Sequence, residues 1–133
     1  MKSLLRACIT GLAVTSATVW PVPPAGATQN SNSSNLLIYA QEWSLWPSRS
    51  SVPAGTIYVE LWNRGQDMHD TWVRRLDKHG KMVGPVLGKV SVTLPGHISH
   101  ATWHLKAGRY ELFCSMPGHL KLGMHARLTV SRN

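Results

Sequence analysis

The sequence predicts an all-β fold, a sandwich of about seven to eight short strands. Three observations carry that expectation. Apolar and polar residues alternate with period two, as in Ile57, Val59 and Leu61 against Tyr58, Glu60 and Trp62. Turn-forming residues recur about every ten positions. No segment shows a long helical period, an internal repeat or a coiled-coil heptad.

The first strand is expected over 36–43, and Trp46-Pro47-Ser48 turns the chain. Val52-Pro53-Ala54-Gly55 is a second turn and leads into a strand over 56–62. A polar loop with Gly65 covers 63–70. A strand follows over 71–76, closed by Asp77-Lys78-His79-Gly80. Residues 82–88 give no periodic signal and read as an irregular loop or a short helical turn. Alternation resumes over 89–94 and stops at Pro95-Gly96. The run 98–105 precedes the tight turn Lys106-Ala107-Gly108. Residues 109–114 and 125–130 are the last two strands.

Residues 1–27 read as a secretion signal rather than as part of the domain. Lys2 and Arg6 precede an uncharged apolar stretch, Ala7 to Val19, that is short for a membrane span. Pro21, Pro23 and Pro24 end it, and Ala25-Gly26-Ala27 matches a small-x-small cleavage site. The protein is therefore expected to be exported, periplasmic or otherwise extracytoplasmic. Residues 28–35 are rich in Ser, Asn and Gln and are expected to form a flexible leader. The domain itself is expected over 36–133, with no membrane insertion after cleavage and as a monomer.

The formal charge is +8, and it falls to +6 without Lys2 and Arg6. Such a balance steers encounter with an acidic partner. Nucleic acid is the weaker reading, because the basic residues are scattered and no run exceeds Arg74-Arg75.

Only two cysteines are present, Cys8 and Cys114, and Cys8 lies within the expected signal. Cys114 then has no internal disulfide partner. It opens the stretch Cys114-Ser-Met-Pro-Gly-His119-Leu-Lys-Leu-Gly-Met124, in which thiol, imidazole and thioether recur with four residues between each. Those ligand types suit copper, and one Cys, two His and a weak axial Met describe a blue-copper site. Pro117-Gly118 and Gly123 let the loop fold back so that the three side chains converge. The second imidazole must come from another loop. His69, at the end of the polar loop and just before a strand, is the best candidate. Asn63 is expected to hydrogen-bond across to the cysteine loop. His97, His100 and His104 read as surface histidines. On one strand His100 and His104 are ~13 Å apart, too far to share an ion. His125 is expected to begin the last strand, pointing away from Met124.

These pieces resemble the cupredoxins, small blue-copper proteins of the plastocyanin and azurin type. The matching residues are Val52-Pro53-Ala54-Gly55-Thr56, Asn63-Arg64-Gly65 with His69, Gly108-Arg109-Tyr110-Glu111-Leu112-Phe113-Cys114, Pro117-Gly118-His119, and Gly123-Met124 leading into Leu128-Thr129-Val130. The resemblance spans about Leu36 to Val130. It implies a Greek-key β-sandwich holding one type 1 copper through His69, Cys114, His119 and Met124. It further implies a one-electron carrier with a cytochrome or oxidase as partner. His119 would be the exit route, ringed by Met116, Pro117, Leu120 and Leu122. The loop spacing departs from plastocyanins and azurins and lies nearer sulfocyanin-like relatives. Met68 also stands where the family often has Pro before the first His. An enzyme is not expected, since the chain has no His-x-His pair and no His-Cys-His triplet. A copper-delivery protein using the same ligands is the alternative.

Overall fold

The computed structural model describes residues 33–132. Nine strands make up two sheets: β1 (Ser33–Gln41), β2 (Ser44–Pro47), β3 (Ser51–Pro53), β4 (Gly55–Asn63), β5 (His69–Leu76), β6 (Met82–Thr93), β7 (Ile98–Leu105), β8 (Gly108–Phe113) and β9 (His125–Ser131). One sheet runs β2-β1-β4-β7 and the other β3-β9-β8-β5-β6. The chain crosses between the sheets after β2, β3, β4, β6 and β7, as a Greek-key sandwich requires. Pairing is antiparallel except for β1 with β4 and β3 with β9. No helix occurs among the described residues. The expected signal segment, residues 1–27, and the first part of the leader lie outside the described residues.

The period-two pattern decides which side of each strand is buried. Leu36, Ile38 and Ala40 of β1 and Ile57, Val59 and Leu61 of β4 face inward. From the other sheet they meet Val73, Val90, Tyr110, Leu112, Leu128 and Val130. Burying each large aliphatic contributes about 1.5–3 kcal/mol against the entropy of ordering the chain. The Tyr110 hydroxyl donates to the Lys106 carbonyl at 2.6 Å, so this buried ring keeps its polar end satisfied.

The strand count exceeds the sequence expectation at the sheet edges. Ser33–Asn35, expected to belong to the flexible leader, are the start of β1 and pair with Thr56–Tyr58. The expected turn at Trp46-Pro47 is largely strand β2, and the turn lies earlier, between Gln41 and Ser44. Ser51–Pro53 adds a three-residue strand beside β9. Residues 82–88, unreadable in the sequence, extend β6 through register shifts against β5. The common reason is position. Pro47, Pro53 and Pro85 all lie on edge strands, where a missing N–H faces outward and breaks no ladder.

One end of the sandwich is tied together by backbone hydrogen bonds between loops. The Arg64 N–H donates to the Ala40 carbonyl at 2.8 Å, and Asn63 N–H to the His97 carbonyl at 3.0 Å. The Gly96 N–H returns to the Asn63 carbonyl at 2.9 Å. These bonds anchor the β4–β5 loop at the end where the sequence placed its candidate ligands.

Candidate metal centre

Cys114 follows the last residue of β8 and is fully buried. Its backbone N–H donates to the Met124 carbonyl at 3.1 Å, and Met124 N–H donates to the His119 carbonyl at 3.0 Å. Within the loop, His119 N–H closes a turn on the Met116 carbonyl at 3.1 Å. Gly118 and Gly123 have φ of 86° and 105°, the left-handed region that a side chain resists. The loop is thus two consecutive tight turns, and its geometry follows from the Pro-Gly and Gly-Met pairs in the sequence. It brings Cys114 Sγ to 3.5 Å from His119 Nδ1. Met124 is completely buried beside them in the core cluster.

His69 is the first residue of β5 and has no solvent exposure. The ligand atoms of His69, Cys114 and His119 lie within 4.8 Å of one another. The two imidazoles meet edge to face with centroids 5.2 Å apart. This is the one such group of three among the described residues. Two loops distant in sequence therefore converge as the ligand chemistry required.

The surroundings of His69 are uneven. Its Nε2 lies 3.1 Å from Glu42 Oε1. Its Nδ1 is buried and has no hydrogen-bond partner. A buried polar nitrogen without a partner costs about 1–3 kcal/mol unless something binds it. A metal ion bound there would satisfy it. Together with a buried thiol, a second imidazole and a buried thioether, the donor set fits one type 1 copper.

Burial pushes the Cys114 thiol up to about 11, so the metal-free site holds a thiol rather than a thiolate. Glu42 moves the opposite way, down to about 2. The Asp67 N–H is the main cause, opposed by desolvation, with further help from its own N–H, Gln66 N–H and His69.

The cross-loop tie expected from Asn63 is made by a different residue. Asn63 Nδ2 donates to the Asp67 carbonyl of its own loop at 2.7 Å and to the Thr93 carbonyl at the end of β6 at 2.8 Å. Its Oδ1 accepts from Gly65 N–H at 2.9 Å. Asp70 reaches the cysteine loop instead, accepting from the Ser115 N–H at 2.6 Å and its hydroxyl at 2.5 Å. Asp70 directly follows His69, so the tie runs from the candidate ligand strand itself.

Two further residues enter the site that sequence reasoning did not single out for it. Glu42 and Trp43 form the β1–β2 turn. Glu42 touches His69, and the Trp43 ring meets His119 at 4.8 Å between centroids, edge on. Their separation from the histidines leaves no local signal that would have found them. The remaining histidines stay outside the group. His125 is exposed and pairs with Glu111 at 2.6 Å, His100 with Glu60 at 3.4 Å, and His104 with the Thr56 hydroxyl at 3.3 Å. His97 Nδ1 lies 2.9 Å from the Pro95 carbonyl oxygen.

No protein-family profile and no curated sequence matches the chain. Solved structures do resemble it. Auracyanin A, a "blue" copper protein from Chloroflexus aurantiacus, superposes with a TM-score of 0.60 at 15% identity, over 74% of this chain and 99% of that one. The dithionite-reduced auracyanin of Roseiflexus castenholzii gives 0.56 at 18% identity, over 76% and 98%. Rusticyanin from Thiobacillus ferrooxidans gives 0.55 at 17% identity, over 75% and 78%. At such identities the likeness is one of fold.

Proposed function

We propose that this chain, a cupredoxin in fold, is an exported one-electron carrier that holds a single copper ion through His69, Cys114, His119 and Met124. The observation that carries this reading is the unpartnered, buried Nδ1 of His69 beside the Cys114–His119 pair. Bound there, copper would supply the one-electron Cu(II)/Cu(I) couple, held by two imidazoles, a thiolate and a thioether, a donor set that suits both oxidation states.

The chain's own residues do the rest. Complete burial of His69, Cys114 and Met124 keeps water and foreign thiols from the site. The interlocked backbone of Cys114, His119 and Met124 resists rearrangement, so little geometry changes with redox state. His119 alone of the four is partly exposed, which makes it the natural exit for an electron. Pro117 and Leu122 are exposed next to it, with Met116 and Leu120 half-buried, and they form the apolar docking patch. Lys121 and the overall positive charge favour an acidic partner of the cytochrome or oxidase kind. No helix among the described residues is long and apolar enough to cross a membrane. Export rests on residues 1–27.

The test is to load the protein with Cu(II) and record visible and EPR spectra, voltammetry and electron self-exchange. An intense thiolate-to-copper band with reversible voltammetry is expected. Cys114→Ser should abolish the band. His69→Gly should leave a coordination position that added imidazole refills. A colourless protein that binds only Cu(I) would refute the carrier and indicate copper delivery.

A further inference from the structure

We infer that Glu42 is a positioning residue for His69, fixing which ring nitrogen is free for the metal and biasing the site toward its oxidised state. This rests on the copper reading above, but its first step concerns the metal-free protein.

One carboxylate oxygen, Glu42 Oε1, lies against three N–H groups. It accepts from Gln66 N–H at 2.7 Å and Asp67 N–H at 2.8 Å, and it lies 3.1 Å from His69 Nε2. The two backbone donors belong to the β4–β5 loop, so the loop that delivers His69 also holds its partner. Gly65 makes room for the carboxylate, since a Cβ there would come within 2.3 Å of the same oxygen.

The tautomer of His69 follows. An ionised carboxylate has no proton to give, so Nε2 must carry the proton and Nδ1 the lone pair. The other tautomer would set two lone pairs facing each other at 3.1 Å. It would also bury an Nδ1 proton with no acceptor within reach. His69 has no exposed edge through which water could rescue that arrangement. Glu42 therefore presents Nδ1 as a ligand before any metal arrives.

The charge has a second effect. A carboxylate hydrogen-bonded to a ligating imidazole raises the ligand's basicity, and a more basic ligand favours the more highly charged metal. Glu42 thus stabilises Cu(II) over Cu(I) through His69. His119 differs, with a half-exposed ring lying against the Trp43 indole. The two imidazoles are electrostatically unlike, one tuned by a half-buried carboxylate and the other left in an apolar, accessible setting.

Glu42→Gln keeps an acceptor oxygen for all three N–H groups and removes only the charge. In the copper-loaded protein it should preserve the thiolate band and raise the reduction potential. A tenfold fall in the oxidised-to-reduced preference is expected, which is ~59 mV for one electron. In the metal-free wild type, 15N NMR at neutral pH should show His69 as the Nε2–H tautomer, with that proton slow to exchange. Glu42→Ala should make the tautomer mixed and the exchange fast. An unchanged or lowered potential in Glu42→Gln overturns the charge effect. An Nδ1–H tautomer in the wild type overturns the positioning. Should Glu42→Gln not fold, the wild-type tautomer and exchange rate still decide the assignment. A wild type that gives no blue site sinks the electron-carrier reading and leaves the tautomer result to stand on its own.

Discussion

Asp70 and Ser115 join the two halves of the candidate centre. The buried carboxylate accepts both the backbone N–H and the hydroxyl of Ser115, at 2.6 and 2.5 Å. It follows His69 on β5, and Ser115 follows Cys114 after β8, so this pair fixes the spacing between the two candidate ligand segments. Removing it is predicted to loosen the site before it unfolds the sandwich. Asp70→Ala should lower the unfolding free energy of the metal-free protein by about 1.5–3 kcal/mol, the range for hydrogen bonds to a charged group. Ser115→Ala removes only the hydroxyl and should cost about 1 kcal/mol. Denaturant unfolding measures both, and equal losses would show that the backbone contact contributes nothing.

Alkali should destabilise the metal-free protein through Cys114. Burial raises the ionisation of the folded thiol to about 11, from an ordinary value of 9.0. Between those values the unfolded chain releases a proton that the folded chain retains. Stability therefore falls as pH rises from 9 through 11. Cys114→Ala should lack this slope when unfolding is followed across that window. Binding of a metal that takes the thiolate must also expel this proton, so apparent affinity should rise with pH, by up to about tenfold per unit from this group.

Acid should act through Glu42 with the opposite sign. Its folded pKa is depressed to about 2 from 4.5, so its stabilisation is complete above 4.5 and disappears as pH falls toward 2. The steepest loss is at most about 1.4 kcal/mol per pH unit, and less with the side chain 23% exposed to screening solvent. Acid unfolding of Glu42→Gln should be flatter than wild type over that range. Parallel curves would mean that the carboxylate is as well solvated unfolded as folded.

Gly88 is predicted to be intolerant of a methyl group. A Cβ at this position would sit 2.4 Å from the Trp103 indole, which is buried in the core. Gly88→Ala should cost about 1–3 kcal/mol by overpacking. Gly84 is a useful contrast, because nothing lies within 4 Å of its Cβ position and its φ of 69° is the only penalty. Comparing the two by urea unfolding and tryptophan fluorescence separates crowding from backbone strain. Only the Gly88 variant should shift the Trp103 emission.

The strands that carry the core were legible because burial imposes a period on each of them. Ile57, Val59 and Leu61 alternate with Tyr58, Glu60 and Trp62 for that reason, and the fold follows from repeating the pattern. Cys114, His119 and Met124 were legible as a group because all three sit in one loop, where spacing in sequence is nearly spacing in space. His69 could be named because a second imidazole was needed and few positions at the right end of a strand offered one. The edges were different. β2, β3 and the first half of β6 contain Pro47, Pro53, Gly84 and Pro85, residues that announce a turn unless a neighbouring strand lies on one side only.

The parts of the site that reached across the fold left no trace along the chain. Asn63 had the chemistry to tie the loops, yet it is spent on Asp67, Gly65 and Thr93, and Asp70 makes the tie. Glu42 and Trp43 lie on a hairpin turn with no motif, and each touches a histidine that is remote in sequence. A ligand type is a property of a residue and can be read from its name. The oxygen that orients the ligand is a property of packing, and it exists only once β1, the β4–β5 loop and the start of β5 have met.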